Sequence, residues 1–172
     1  MKTFCVIPAF NEEKNIKIII SQARPLVDAL VIVDDGSSDR TADFAKTAGV
    51  VLLKHIINRG QGAALRTGTA YCLNNGADII IHFDGDGQFL SRDLKKIAAP
   101  IKDGAAQVVF GSRFLNGESS ASMPIFKKYF IIPLAKAVNK VFFNVNLTDP
   151  QSGFIEGASE DELNAELARA GL

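Results

Sequence analysis

Short apolar runs and amphipathic stretches alternate along the first 111 residues of the chain. The apolar runs show no alternation of polar and apolar positions, which is typical of strands buried on both faces of a mostly parallel sheet. Five such strands are predicted, at Phe4–Pro8, Ala29–Asp34, Val50–Lys54, Asp78–Asp84 and Gln107–Gly111. Strand and helix patterns that follow one another this often indicate an α/β fold with a doubly wound sheet.

Four helices are predicted between the strands, at Glu12–Ala23, Asp39–Ala48, Ala63–Asn75 and Arg92–Lys102. The first carries an apolar stripe at helical spacing, which we expect to be buried, formed by Ile16, Ile19, Ile20 and Ala23. Asn11 and Ser38 precede the first two helices, and their side chains are the expected N-caps.

The pattern changes between residues 119 and 148, where the chain has no acidic residue and carries Lys127, Lys128, Lys136 and Lys140. Aromatic and aliphatic residues fill the remaining helical positions, so amphipathic helices are predicted here. Two interpretations stay open: the helices pack on the core with a solvated basic face, or they lie on an anionic membrane surface. Without a membrane, this aromatic surface would favour a homo-oligomer.

The last segment, Ile155–Leu172, is acidic, with five carboxylates and one arginine. Ser159 followed by Glu162 fits a capping box, and a thin apolar stripe follows it. The segment is therefore predicted to be an acidic, solvated helix or tail.

Composition excludes several classes of protein. The chain of 172 residues has 19 basic and 19 acidic side chains, so it lacks the global basic field of a nucleic-acid-binding protein. No apolar run reaches the roughly 18–20 residues that span a bilayer, and the N-terminus does not resemble a signal peptide. A cytoplasmic protein is expected, in which Cys5 and Cys72 are buried small hydrophobes rather than a disulfide or zinc ligands.

Candidate chemistry follows the ends of the first two strands. Residues 8–13 end the first strand, and residues 33–39 end the second with Asp34, Asp35 and Gly36. Ligands of open α/β sheets bind at this edge, because the carboxyl ends of the strands meet there. A carboxylate of the pair can reach ligand hydroxyl or base N–H groups; the alternative is a tight turn that caps the next helix.

A divalent cation site is predicted after the fourth strand. Asp84 and Asp86 can converge on one Mg²⁺ or Mn²⁺, and the amide oxygen of Gln88 can add a neutral ligand. Such an ion typically bridges a diphosphate and stabilises it as a leaving group. The alternative is a solvated Asp-Gly turn.

Two further features suit phosphate. Residues 58–66 form a glycine-rich entry to a helix, which can present backbone N–H groups to an anion. They are not a dinucleotide-binding fingerprint, because Leu65 stands at the third glycine position. Arg113, just beyond the fifth strand, either meets phosphate charge or is an ordinary surface residue.

Six motifs occur in the order seen in family 2 glycosyltransferases, over roughly residues 3–154. They are Val6–Glu12, Val33–Ser37, Gly60–Ala64, Asp84–Gln88, Gly111–Arg113 and Thr148–Phe154. The set most resembles the polyprenyl-phosphate branch, which includes the dolichyl-phosphate mannose and glucose synthases. The resemblance implies a GT-A fold, a Rossmann-like, mostly parallel sheet flanked by helices and followed by amphipathic helices.

The resemblance also implies residue roles in an inverting transfer from a nucleotide-diphosphate sugar, UDP- or GDP-linked, to a polyprenyl phosphate. The nucleotide would be bound by Pro8, Phe10, Glu12, Val33 and Asp35, with backbone contacts from Phe83 and Gly85. Asp84, Asp86 and Gln88 would hold Mg²⁺ or Mn²⁺ on the diphosphate, and Arg113 would meet phosphate charge. Asp149 falls in the acceptor-side loop, where it would orient the acceptor more than deprotonate it, since a lipid phosphate is already anionic.

Three regions are therefore expected: a nucleotide-sugar-binding core at 1–118, an amphipathic segment with the acceptor-side loop at 119–154, and the acidic segment at 155–172. Peripheral contact with the cytoplasmic face of a membrane is expected for the second. The family usually has a basic residue where Ile155 stands, and the chain resembles a form shortened at its C-terminus. A catalytically impaired nucleotide-sugar-binding or assembly domain is thus an alternative. A haloacid-dehalogenase-like phosphatase is disfavoured. That family has its aspartate loop after the first strand, whereas three strand–helix units precede Asp84 here.

Overall fold

The computed structural model describes residues 1–83, 94–110 and 155–157. Its strands are β1 (Thr3–Ala9), β2 (Ala29–Asp34), β3 (Val51–Lys54), β4 (Ile79–His82), β5 (Val108–Phe110) and β6 (Ile155–Gly157). Its helices are α1 (Ile16–Ala23), α2 (Thr41–Thr47), α3 (Gln61–Asn74) and α4 (Leu94–Lys102), with a 3₁₀ turn at Arg24–Leu26. The five strands and four helices predicted from the sequence are all present, with boundaries shifted by a few residues.

The strands form one sheet in the order β3-β2-β1-β4-β6-β5. The first four strands pair in parallel, and β6 runs antiparallel to both β4 and β5. Parallel neighbours require crossover connections, and the helices between successive strands supply them. This confirms the predicted α/β fold with a mostly parallel sheet.

Each central strand buries alternate side chains on opposite faces of the sheet, as the pleat requires. On one face, Ile7 and Ile32 pack in a cluster that includes the apolar residues of α1 and α4. On the other face, Val6 and Val33 pack with Ala64 and Cys72 of α3. The predicted stripe of α1 is buried in the first cluster, which confirms it.

The predicted N-caps of the first two helices are wrong. Helix α1 begins at Ile16, and Asn11 instead has a φ of +56° and accepts the N–H of Ser38 at its Oδ1, at 3.0 Å. Helix α2 begins at Thr41, whose N–H donates to Asp39 Oδ1 at 2.9 Å. Sequence spacing identifies polar residues near a helix start, but here bonds to another loop take the side chains of Asn11 and Ser38.

Residues 155–157 form strand β6 rather than the start of a helix. In β6, Glu156 pairs with both Ile81 of β4 and Val109 of β5. Three residues carry little local preference, and the unpaired edges of two existing strands decide their conformation. The rest of the acidic segment and the amphipathic segment 119–154 lie outside the described residues.

Both cysteines are buried and neither is in a disulfide, as the sequence predicts. Burial raises the pKa of Cys72 to about 12, so its thiol stays protonated at neutral pH. Within the described residues, no helix is both long and apolar enough to cross a membrane.

Candidate functional site

The carboxyl ends of β1, β2 and β4 meet at one edge of the sheet. Ala9 is in register with Asp34, and Val6 is in register with His82. The described residues among those predicted to bind a nucleotide all lie at or near this edge: Pro8, Phe10, Glu12, Val33, Asp35 and Phe83. The remaining predicted site residues lie outside the described residues: Asp84, Gly85, Asp86, Gln88, Arg113 and Asp149.

The loop after β1 is hydrogen-bonded to the loop after β2. Asn11 donates its N–H to Ser37 Oγ at 2.9 Å, and Glu12 donates its N–H to Thr41 Oγ1 at 2.8 Å. Ser38 N–H returns a bond to Asn11 Oδ1. The two loops thus satisfy each other's polar groups, which fixes the backbone on this side of the edge.

Asp39 strengthens the same contact. Its carboxylate accepts the N–H of Glu13 at 3.0 Å and the N–H of Thr41 at 2.9 Å. Burial by itself raises the pKa of Asp39, but hydrogen bonds from the Thr41 side chain and from backbone N–H groups outweigh it. The net pKa lies below its ordinary value, so this carboxylate is anionic at neutral pH.

The residues predicted to bind the nucleotide differ in how far their side chains are exposed. Phe10 is 46% exposed, whereas Pro8 and Glu12 are half-buried. Val33 is fully buried on the α3 face and Phe83 is 2% exposed on the opposite face. Among these five, Phe10 therefore offers the largest accessible side chain at the edge.

Asp34, the first residue of the aspartate pair, is part of the sheet. It is fully buried, and its Oδ1 accepts the N–H of Ser37 at 3.2 Å. Its Oδ2 lies 3.6 Å from Nζ of Lys54, its register partner on β3. Asp34 therefore closes the turn after β2 and pairs with a neighbouring strand.

Asp35, the second residue of the pair, is bonded to the loop after β3. Its Oδ1 lies 2.6 Å from Nδ1 of His55 and accepts the N–H of Arg59 at 3.0 Å. Its Oδ2 accepts the N–H of Gly60 at 2.7 Å. Burial raises the pKa of Asp35, but the bonds from Arg59, His55 and Gly60 outweigh it and the net pKa is lowered. The carboxylate is thus anionic, and it fixes the glycine-rich loop.

His55 connects Asp35 to helix α3. Its ring lies between Asp35 and Thr67, with Nε2 at 2.9 Å from Thr67 Oγ1. The Thr67 hydroxyl in turn donates to the carbonyl of Ala63 at 3.0 Å. The sequence analysis missed both residues. The available signal was a histidine directly after the third strand and five residues before Gly60.

The structure requires a glycine directly after the aspartate pair, at position 36. Its φ is +76°, and a Cβ there would lie 2.7 Å from both Ile57 C and Asn58 N. The backbones after β2 and β3 therefore approach too closely for any side chain. The turn after β2 sits directly against the glycine-rich loop.

His82 is a second buried histidine that the sequence analysis missed. Its Nε2 lies 2.8 Å from Thr69 Oγ1 on α3, and its Nδ1 has no hydrogen-bond partner among the described residues. Desolvation lowers the pKa of His82 to about 4, so the ring is neutral at physiological pH. It ends β4, two residues before Asp84 in the sequence.

The edge has the features of an anion-binding and base-binding site. Helix α3 begins at the glycine-rich loop, and the N-terminus of a helix favours negative charge. Arg59 is exposed in that loop, and a guanidinium suits phosphate. Phe10 provides an exposed aromatic ring at the same edge, on which a base could stack.

A family model decides the assignment. The model described as glycosyl transferase family 2 matches residues 4–155. The chain belongs to this family. The aspartate pair, the glycine-rich loop and the motif after β1 of this family 2 chain lie at the edge just described.

Two curated relatives extend the comparison. An uncharacterized protein of Methanocaldococcus jannaschii is 37% identical over 151 residues, which cover 87% of this chain and 62% of the relative. The UDP-N-acetylglucosamine–dolichyl-phosphate N-acetylglucosaminyltransferase of Methanococcus voltae is 33% identical over 168 residues, covering 87% of this chain and 66% of the relative. The chain thus spans less than two thirds of either relative's length.

A solved structure confirms the GT-A fold. Glucosyl-3-phosphoglycerate synthase from Mycobacterium tuberculosis, in complex with Mn²⁺, UDP-glucose and phosphoglyceric acid, superposes with a TM-score of 0.69. The identity is 24%, over 91% of this chain and 56% of the other. At this identity the likeness establishes the architecture.

Proposed function

We propose that this family 2 chain is the donor-binding part of a metal-dependent, inverting glycosyltransferase that moves a sugar from a nucleotide-diphosphate sugar to a polyprenyl phosphate. The observation that carries the proposal is the convergence of three family motifs at the carboxyl edge of β1 and β2, with loops bonded to one another. Such an edge is the usual ligand site of an open α/β sheet.

The donor would lie across this edge. Phe10 would offer its accessible ring to the base. The nucleotide would also be lined by Pro8, Glu12, Val33 and Asp35. Backbone contacts would come from Phe83 and Gly85. Asp84, Asp86 and Gln88 would hold Mg²⁺ or Mn²⁺ against the diphosphate, because carboxylate and amide oxygens are the ligands that such ions prefer. Support comes from the synthase of the same fold, which holds Mn²⁺ and UDP-glucose.

The acceptor would enter from the segment 119–154, with Arg113 near phosphate charge and Asp149 orienting the acceptor. Support for a polyprenyl phosphate comes from the Methanococcus voltae relative, named for a dolichyl-phosphate acceptor. The basic, aromatic composition of residues 119–148 suits contact with an anionic membrane surface, on its cytoplasmic face in this proposal.

One observation favours a second candidate, a domain that binds the nucleotide sugar without transferring it. Ile155 stands where the family usually has a basic residue, and it is the first residue of β6. Turnover with a polyprenyl phosphate separates the two candidates, because a binding domain would bind the nucleotide sugar but transfer no sugar to the acceptor.

The first test is thermal stabilisation by UDP, GDP and their sugar conjugates, each with Mn²⁺ or with EDTA. Binding to the folded state raises the free energy of unfolding by about 2.7 kcal/mol at a hundredfold excess of ligand over Kd. We expect a metal-dependent rise with one nucleotide, and its loss in the double variant Asp84→Asn, Asp86→Asn. A variant with Asp43→Asn and Asp103→Asn removes two exposed carboxylates outside the site and should keep the rise. No rise with any nucleotide would refute the proposal.

A further inference from the structure

We propose that His55 is a positioning residue for donor binding: it holds the Asp35 carboxylate in the orientation that fixes the glycine-rich loop, residues 58–60. The inference rests on the proposed function, because it assigns to His55 an effect on nucleotide affinity that acts through Asp35 and the loop.

The contacts place His55 at the centre of three elements. Its backbone N–H donates to the carbonyl of Asp34, the last residue of β2, at 2.9 Å. Its ring contacts the Asp35 carboxylate on one side and Thr67 of α3 on the other. His55 is 8% exposed, so solvent does not compete for these bonds. The ring therefore links the turn after β2 to the helix that the glycine-rich loop enters.

The bonds to Asp35 are divided unevenly between its two oxygens. Oδ1 accepts from both His55 and Arg59, whereas the one donor to Oδ2 within the described part of the chain is Gly60 N–H. A carboxylate oxygen has two lone pairs, so Oδ2 keeps one for a further donor. Because His55 fixes Oδ1, it also determines the direction of Oδ2, the atom with capacity left for a ligand hydroxyl or N–H group.

The hydrogen-bond inventory gives the direction of the bond between His55 and Asp35. An anionic carboxylate can only accept, so Nδ1 of His55 donates to Asp35 Oδ1. On the other side of the ring, Nε2 lies 2.9 Å from Thr67 Oγ1, a hydroxyl that can either donate to a ring nitrogen or accept from it. The bond to Asp35 therefore needs a donor on the Nδ1 side of the ring, which is the side that the variants below keep or remove.

Three variants separate the two sides of the ring. His55→Asn places an amide donor near the Nδ1 position and keeps the bond to Asp35. His55→Gln places its donor near the Nε2 position and keeps only the bond to Thr67. His55→Phe keeps the ring volume and loses both bonds. Ile56→Gln is the matched control, because it alters the following residue, which is 98% exposed, without touching the Asp35 carboxylate.

Two readouts are measured on the full chain. Amide hydrogen exchange of Arg59 and Gly60 is followed without nucleotide, and the affinity for UDP and GDP with Mn²⁺ is followed by calorimetry. Loss of a hydrogen bond to a charged group should weaken nucleotide binding by roughly tenfold or more in His55→Gln and His55→Phe. His55→Asn and Ile56→Gln should stay within about threefold of the unsubstituted protein, within the spread of a neutral bond.

The outcomes are distinguishable. Faster exchange at Arg59 and Gly60 together with weaker binding, both restored in His55→Asn, supports the proposal. Faster exchange with unchanged affinity overturns the positioning role and leaves the proposed function intact. Unchanged exchange and unchanged affinity in folded His55→Phe overturn it as well. If the unsubstituted protein binds neither nucleotide, the proposed function fails, and the contact between His55 and Asp35 is purely structural.

Discussion

Gly36 is the residue at which the turn after β2 and the loop after β3 come closest. We expect Gly36→Ala to destabilise the protein by at least about 2 kcal/mol, because a left-handed backbone costs roughly 1–2 kcal/mol for other residues and the new Cβ also overlaps a backbone. Gly49→Ala is the matched control: its φ is +66°, but nothing lies within 4 Å of its Cβ position, so it should lose about 1 kcal/mol. Urea unfolding checks both, and equal losses would contradict the close approach.

Single residues also show how far the sequence predicts the site. The Asp34–Asp35 pair was identifiable, because two carboxylates and a glycine at a strand end suit a tight turn beside a ligand. The different roles of the two aspartates were not identifiable. Lys54, which ends β3, and His55, directly after it, contact them from twenty positions along the chain. The direction of Oδ2 in Asp35 depends on a histidine that no local pattern connects to it.

At the scale of elements, α3 packs closely on the sheet at Gly68, which leaves no room for a side chain. A Cβ at Gly68 would overlap Val6 Cγ1 and lie 3.1 Å from Val33 Cγ2. Both valines are fully buried and stiff at χ1, so they cannot turn away. We expect Gly68→Ala to cost about 1–3 kcal/mol in thermal denaturation without nucleotide.

Gly62 is the control in the same helix. Nothing lies within 4 Å of its Cβ position and its φ is not in the left-handed region. Gly62→Ala should therefore stabilise the protein, by up to about 1 kcal/mol, since alanine is the better helix former. A stabilising Gly68→Ala would show that α3 can move away from β1, contrary to the packing described above.

Elements with strong periodicity were predicted correctly, and those set by distant partners were not. The stripe of α1 was identified because four apolar residues share one helical face and have a single core to enter. Strand β6 was missed because its three residues become a strand by pairing with β4 and β5. Both of these strands lie more than forty residues before it in the sequence. The N-caps failed for the same reason, since Asn11 and Ser38 bond across loops.

Across the whole molecule, the loops at the carboxyl edge depend on two ionised carboxylates, Asp35 and Asp39. The pKa of each is lowered from its ordinary value, as bonds from neighbouring donors outweigh burial. A carboxyl group with a lowered pKa in the folded state contributes stability that is complete above its unfolded pKa, about 4. That stability is lost as the pH falls through the lower folded value, because the unfolded chain then binds more protons.

The folded protein should therefore lose stability steeply below about pH 4, the ordinary carboxyl range. Urea midpoints measured at neutral pH and at steps below pH 4 should fall along a steeper curve for the unsubstituted protein than for Asp35→Asn or Asp39→Asn. Each variant starts lower at neutral pH, since losing a hydrogen bond to a charged group costs about 1.5–3 kcal/mol. Asp103→Asn removes an exposed carboxylate and the same unit of charge, so it should follow the unsubstituted curve. Parallel curves for all four proteins would mean that neither Asp35 nor Asp39 holds the edge together through its charge.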